Sequence, residues 1–397
     1  VGGARASSSL STALLAIRES VIREMTRLAE ASGAINLAQG FPDFDAPQEV
    51  KRAAIRAIRH GSNQYSFTWG SAELRAAIAE KARRYNGLDA DPDENVTVTC
   101  GSTEAVFASI LALANPGDEF IVVEPFYENY VPAVLIARAR PRSVELRGEA
   151  FSLEEEELKA AFGPATKAIV VNTPHNPTGR VLTRQELKLI ADLCEDHDVL
   201  AITDEIYEHI LYGEARHISL ATIGSMWERT ITVSGISKTY SATGWRVGYA
   251  IAPKHLTQAL RKVHDYLTVC APSPLQEAAV RALALSEDYY ASLRLFYARR
   301  RQEMLRALKR AGFRFFPPEG AYYVFADFSG LSGEDDEAFS ARLIREAGVA
   351  AVPGSSFYLD KGRGRKRVRF AFCKRRSTLL EASRRLLGFA SRLTRGA

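Results

Sequence analysis

Lys238 offers the most chemistry in this chain. It lies in Ser234-Gly-Ile-Ser-Lys238-Thr-Tyr-Ser-Ala-Thr-Gly244-Trp-Arg246-Val-Gly248, a run of small residues that follows an apolar stretch. A lysine at the carboxyl end of a buried strand stands where open α/β sheets bind ligands. Desolvation and a nearby cation, for which Arg246 is a candidate, would lower its pKa from ~10.4 and make it a Schiff-base nucleophile. Taken alone it is equally a surface lysine in a turn. Asp204, in Ala201-Ile-Thr-Asp204-Glu-Ile-Tyr207, ends another apolar run with a carboxylate that could hold a proton on a ligand's ring nitrogen. Tyr207 could donate to a ligand oxygen. The plain alternative for Asp204 is a helix N-cap.

Four further groups have the same double character. Asn176, set in Thr-Pro174-His-Asn176-Pro177-Thr-Gly179, is a donor locked in a tight loop, or the start of an Asx-turn. Ser102 and Thr103 follow Gly101 where strand passes to helix, so they sit with free N–H groups that suit a phosphate, or merely cap the helix. Tyr127 could stack on a flat ring or belong to the core. Arg369, on the polar register of Arg367-Val-Arg369-Phe-Ala-Phe372, could grip a carboxylate through two parallel hydrogen bonds or simply face solvent. The seven histidines show no metal-ligand spacing, so no metal is expected.

These residues need a scaffold. Between Asn95 and Ile251 short β-branched runs alternate with helical stretches: Val96–Thr99, Phe120–Val123, Ala168–Val171, Leu200–Thr203, Ile231–Ser234 and Val247–Ile251. This predicts an α/β fold with a largely parallel central sheet and helices on both faces. One helix announces itself through a Thr183/Glu186 capping box, with Leu187, Ile190, Ala191 and Cys194 on one face. After Ser286 an Arg-rich helical stretch, Tyr289–Arg310, leads to strand-like Phe313–Phe316, Tyr322–Phe325 and Val368–Phe372. Three regions follow: 1–47, an arm that packs with the smaller domain or reaches a partner subunit; 48–286, the large domain; and 287–397, a smaller α+β domain. The Gly/Ser/Ala-rich Val1–Ser9 reads as an unstructured end.

Composition bounds the rest. With 397 residues, 46% hydrophobic, the chain can fill about two cores, and no stretch approaches the ~18 apolar residues needed to span a bilayer. A net charge of +5 is small for this length, and the basic run Lys361–Arg376 has no interleaved aromatics to stack bases, so neither membrane nor nucleic acid is an expected partner. Cys100, Cys194, Cys270 and Cys373 lie far apart among mostly apolar neighbours, which reads as buried free thiols in a reducing, cytoplasmic setting.

Together, in this order, the motifs from Asn36-Leu-Ala-Gln-Gly40-Phe-Pro-Asp43 to Arg369 resemble the class I aminotransferases of pyridoxal-5′-phosphate (PLP) fold type I. Gly40-Phe-Pro-Asp-Phe, Tyr65-Ser-Phe-Thr-Trp-Gly70, Met226-Trp-Glu-Arg and Ser241-Ala-Thr-Gly-Trp look most like the kynurenine, glutamine and methionine branch. The resemblance implies PLP on Lys238, Asp204 at the pyridine nitrogen, Asn176 and Tyr207 at the phenolic oxygen, and Tyr127 stacked on the ring. Ser102, Thr103 and Arg246 would hold the phosphate, joined by Tyr65 of a second subunit in a homodimer with shared sites. Gly40, Asn176 and Arg369 would position the substrate.

The implied reaction moves an amino group from an L-amino acid to a 2-oxo acid by a ping-pong route, and Phe67 and Trp69 suggest an aromatic or bulky apolar donor. Two positions depart from the pattern: Gly235 stands where many relatives have a phosphate-binding serine, and Val269-Cys270 where kynurenine- and glutamine-handling relatives often have an aromatic and a histidine. The same scaffold would serve a carbon–sulfur β-lyase. A ligand-sensing regulator would need a basic winged-helix domain ahead of the sheet, more than the about 35 residues before Asn36 supply.

Overall fold

The computed structural model describes residues 11–395, so the Val1–Ser9 end lies outside the described residues. Three sheets organise the chain. Strands β1 (Ile35–Asn36), β2 (Val96–Thr99), β3 (Glu119–Glu124), β4 (Arg140–Arg147), β5 (Ser152–Leu153), β6 (Thr166–Asn172), β7 (Leu200–Asp204), β8 (Thr230–Gly235) and β9 (Gly248–Ile251) precede the long helix Glu287–Arg310. After it come β10 (Arg314–Phe315), β11 (Tyr323–Asp327), β12 (Val349–Ala350), β13 (Val352–Pro353) and β14 (Arg367–Ala371).

The large sheet runs β2-β9-β8-β7-β6-β3-β4-β5. Its β8-β7-β6-β3-β4 stretch is parallel, while β9 is antiparallel to both neighbours and β5 to β4. All six anticipated strands are present. Their near-continuous apolar character follows from being covered on both faces, as parallel strands are. Along β3, Phe120 and Val122 pack with the helix Ser102–Leu113, and Ile121 packs with the helix Arg184–Asp196 on the opposite face. The second of these helices starts at the expected capping box, buries Leu187, Ile190, Ala191 and Cys194, and carries a Lys188–Asp192 ion pair at 2.7 Å on its wet side. β4 has no sequence forecast, because its Arg-Pro-Arg-Ser-Val-Glu-Leu-Arg run lies near the sheet edge and buries only Val144 and Leu146.

The smaller sheet, β10-β11-β14-β13, is antiparallel and packs with helices Glu287–Arg310 and Arg376–Arg395. The arm contributes a strand: β1 pairs with β12 in parallel, and Ile22, Met25 and Ala29 of the helix Val21–Ala31 share a core with Phe325 and Val352. The four cysteines are free. Cys194 and Cys373 are buried as anticipated, whereas Cys100 and Cys270 are only half-buried because they line cavities.

Candidate active site

A cavity of about 770 Å3 opens between the carboxyl ends of the large sheet, the arm and the smaller sheet. Lys238, Asp204, Tyr207, Asn176 and Tyr127 line it from strand ends, together with Ser102, Thr103 and Arg246. Gly40 and Arg369 close it from the arm and β14. Tyr65 is the one anticipated site residue elsewhere: it is 83% exposed and lines a second cavity that shares Cys100 with the first. Phe67 and Trp69 do not line the main cavity. They pack edge-on against each other at 4.8 Å, and Arg261 covers Trp69 at 3.7 Å.

Lys238 follows β8, and its Nζ donates to the Gly40 carbonyl at 3.1 Å. Burial pushes its pKa down to about 8, with Arg369 and Arg246 acting in the same direction and Cys373 and Asp204 against it. The amine is therefore part-neutral at mildly alkaline pH, as a nucleophile must be. The adjacent strand β7 delivers Asp204, which is not a helix cap. It is buried, Oδ2 accepts from Tyr130 Oη at 2.8 Å, and Oδ1 accepts from the Ile206 N–H at 3.3 Å. Desolvation raises its pKa to about 6, against the pull of those two bonds and of Lys238. Such a carboxylate gains from a cation brought alongside it.

At the start of the helix Ser102–Leu113 the N-cap is Gly101 at φ 82°, and no side chain caps the first turn. The backbone there is pressed by β9, where a Cβ on Gly248 would overlap Gly101 and Ser102. Ser102 and Thr103 thus begin a helix whose first N–H groups are left for a ligand. Arg246 joins them, its guanidinium held by the carbonyls of Thr243 at 2.9 Å and Cys100 at 3.5 Å. A side chain at Gly235 has no room, since its Cβ would stand 2.9 Å from Gly248 Cα and Val247 O. Ser234 is committed to Glu208 at 2.7 Å. Ser237 Oγ, by contrast, is buried at the cavity wall without a hydrogen-bond partner.

Arg369 faces the cavity and not solvent. β14 is buried along Val368–Ala371, and Arg369 is 1% exposed. One nitrogen donates to Asn176 Oδ1 at 2.8 Å and another to the Ala38 carbonyl at 2.6 Å, while Nε has no partner. No carboxylate pairs with it among the described residues. A buried guanidinium facing a cavity without a counter-ion is a costly arrangement that an incoming anion relieves. Asn176 is fixed by its own N–H, which donates to Asn172 Oδ1 at 2.8 Å. Tyr207 Oη meets Tyr323 Oη at 2.9 Å.

Sequence reasoning missed Tyr130, Tyr322 and Tyr323. Tyr130 bonds Asp204, Tyr322 donates to the Gly40 carbonyl at 2.9 Å, and Tyr323 packs against Gly40. Tyr130 opens the helix Tyr130–Ile136 three residues after Tyr127, and that closeness in sequence is its one signal. The tyrosine pair at the start of β11 reaches the site only through the packing of the smaller sheet.

Comparison with known proteins gives a consistent picture. The family model for aminotransferase class I and II matches residues 32–386. A Mycobacterium tuberculosis protein named "Probable N-succinyldiaminopimelate aminotransferase DapC" is 42% identical over 94% of this chain and 96% of its own length. The methionine aminotransferase of Escherichia coli is 37% identical, covering 92% of this chain and 95% of its own. The solved structure of N-succinyldiaminopimelate aminotransferase from Mycobacterium tuberculosis superposes with a TM-score of 0.93 at 41% identity, over 96% of this chain and 100% of that one.

Proposed function

The chain belongs to the class I and II aminotransferases, PLP-dependent enzymes of fold type I, and on that premise we propose which of its residues do the work. It transfers an amino group between an amino acid and a 2-oxo acid. The cavity suits the cofactor: an uncapped helix end, the orphaned Ser237 hydroxyl and Arg246 offer donors for a phosphate, and Asp204 offers a carboxylate for a protonated ring nitrogen. When bound, PLP supplies an electron sink for the charge left at the substrate Cα.

In our reading Lys238 Nζ carries the cofactor and is the base that takes the Cα proton and returns it. Asp204, pressed into a dry setting, keeps a proton on the ring nitrogen. Tyr207 and Asn176 would bond the phenolic oxygen, and Tyr127 would stack on the ring. Ser102, Thr103 and Arg246 hold the phosphate, and Ser237 takes the place that Gly235 cannot fill. Arg369, steadied by Asn176, grips the substrate carboxylate beside Gly40. The observation that carries this reading is the buried Arg369, without a carboxylate partner, in the same cavity as a lysine of depressed pKa.

For the substrate side chain we retain an aromatic or bulky apolar group, now on the strength of Ile22 and Phe41 at the cavity wall rather than Phe67 and Trp69. A homodimer is supported by the exposure of Tyr65, Phe67 and Tyr266, at 83%, 57% and 95%, of which Tyr65 lines the second cavity. Tyr65 would there reach a partner's phosphate. Regions 1–47, 48–286 and 287–397 are supported by the shared core of the arm and the smaller sheet. Free thiols favour the cytoplasm, and no described helix is long and apolar enough to cross a membrane. The test is a half-reaction: each candidate amino acid is added to holoenzyme without an oxo acid. One equivalent of 2-oxo acid per site supports the reading, and continuous release of ammonia contradicts it.

A further inference from the structure

The segment Asp204–Glu208 turns its side chains two ways. Asp204 and Tyr207 line the cavity, whereas Glu205 and Glu208 are absent from its wall and are 0% and 2% exposed. On that reverse side Glu208 Oε1 lies 2.5 Å from Lys81 Nζ and accepts from Ser234 Oγ at 2.7 Å. Its Oε2 accepts from Asn86 Nδ2 at 2.8 Å, and Lys81 also donates to Asn86 Oδ1 at 2.8 Å. Glu205 is held in turn by Ser219 Oγ and His217 Nε2, each at 2.8 Å. Tyr85 Oη donates to the Glu208 carbonyl at 2.6 Å.

A metal could be imagined here, since ligand atoms of Glu205, Glu208 and His217 gather within 4.8 Å of one another. The Lys81 ammonium already supplies the cation: burial pulls its pKa down, but Glu208 outweighs this and holds it above the usual lysine range. A buried ion pair is a poor source of stability compared with apolar packing, and its best-attested use is to fix one arrangement. What this pair fixes is specific. The β7–β8 ladder ends at Asp204 opposite Val233, and Ser234 is the next residue toward Lys238. Glu208 therefore ties the two strand ends together where the backbone ladder stops.

We propose that Glu208, clamped by Lys81, Asn86 and Ser234, is a positioning residue that holds Asp204 and Tyr207 in register with Lys238. This rests on the roles given above to Asp204 and Lys238. The test uses holoenzyme of three forms: wild type, Glu208→Gln, and the charge-free pair Lys81→Met/Glu208→Gln. Three quantities are read: Tm, the pH midpoint of the visible absorbance of the bound cofactor, and kcat and KM with the best donor from the half-reaction screen. Charged and titratable groups facing Lys238 are Asp204, Arg246, Arg369, Cys373 and the rings of Tyr207 and Tyr322, none of them altered.

Glu208→Gln should move the midpoint by at least half a pH unit and lower kcat tenfold or more, with KM within threefold. The double variant should recover Tm, having no lone buried charge, without recovering midpoint or kcat. An unchanged midpoint and kcat in Glu208→Gln, or recovery of both together with Tm in the double variant, overturns the proposal. A wild type with no borohydride-reducible link at Lys238 would instead sink the Lys238 assignment.

Discussion

Arg369 and Lys238 are each in a setting that costs stability and that a ligand rewards. An arginine fork on a carboxylate forms two charge-assisted hydrogen bonds, each worth roughly 1.5–3 kcal/mol. Because water takes up part of the lost pairing, the net loss is about one such bond, so Arg369→Met should raise KM for amino and oxo acids about 10- to 100-fold, with kcat less affected. The same change should leave the Tm of the cofactor-free protein equal or higher, because it removes a buried charge without a counter-ion. Steady-state kinetics and calorimetry on the one variant check both halves. A second residue-scale prediction concerns His209, buried between the rings of Tyr85 and Tyr290 at 3.9 and 4.4 Å, with both nitrogens unpartnered. Burial lowers its pKa from 6.5 to about 3. Its neutral form is the one folding prefers, so its contribution is complete above pH 6.5 and is lost as pH falls toward 3. His209→Phe should reduce the acid-side loss of unfolding free energy by about 1.4 kcal/mol per pH unit between pH 6 and 4. Equal slopes in denaturant titrations of the two proteins would refute this. At this scale the sequence is readable where one short segment carries the chemistry, as around Lys238, Asp204 and Asn176. It is silent on Glu208 and Lys81, whose 127-residue separation closes only in the fold.

The elements place those side chains by ending at one edge. β7 and β8 stop at Asp204 and Gly235, and the helix Ser102–Leu113 starts with no side-chain cap. The cup made by that helix end depends on the close approach of β9, where Gly248 leaves no space for a methyl group against the Gly101 and Ser102 backbone. Gly248→Ala should cost about 1–3 kcal/mol by overpacking and loosen the phosphate hold. Faster loss of cofactor on dialysis, together with a lower Tm, is the expected result; retention equal to wild type would show that the cup tolerates the shift. Elements were legible where burial on both faces made their residues uniformly apolar, as in β6 and β7. β4 escaped because its exposed end is arginine-rich, and the antiparallel direction of β9 has no local signature. For Arg369 the sequence leaves two alternatives, a carboxylate grip or solvent, because an alternating strand normally turns its charge to water and only the fold shows that this one turns it to a cavity.

At the scale of the whole molecule, the site is assembled from segments as distant as Gly40 and Arg369, so it exists only when the arm, the large sheet and the smaller sheet are packed together. Tyr65 is the exception, exposed in the single chain, and the role proposed for it requires a second subunit. Tyr65→Phe should leave a dimer in sedimentation experiments but weaken cofactor retention several-fold; full retention would remove Tyr65 from the phosphate site. The alternation of strand and helix made the overall architecture readable, whereas the pairing of β1 with β12 is written in two residues on each side and could not be. Everything at this scale converges on one amine. The most direct test is borohydride reduction of the purified, PLP-loaded enzyme, followed by peptide mapping by mass spectrometry. The account predicts a phosphopyridoxyl group on the peptide bearing Lys238, and none in Lys238→Ala. A label on a different lysine, or no label on any, would contradict it.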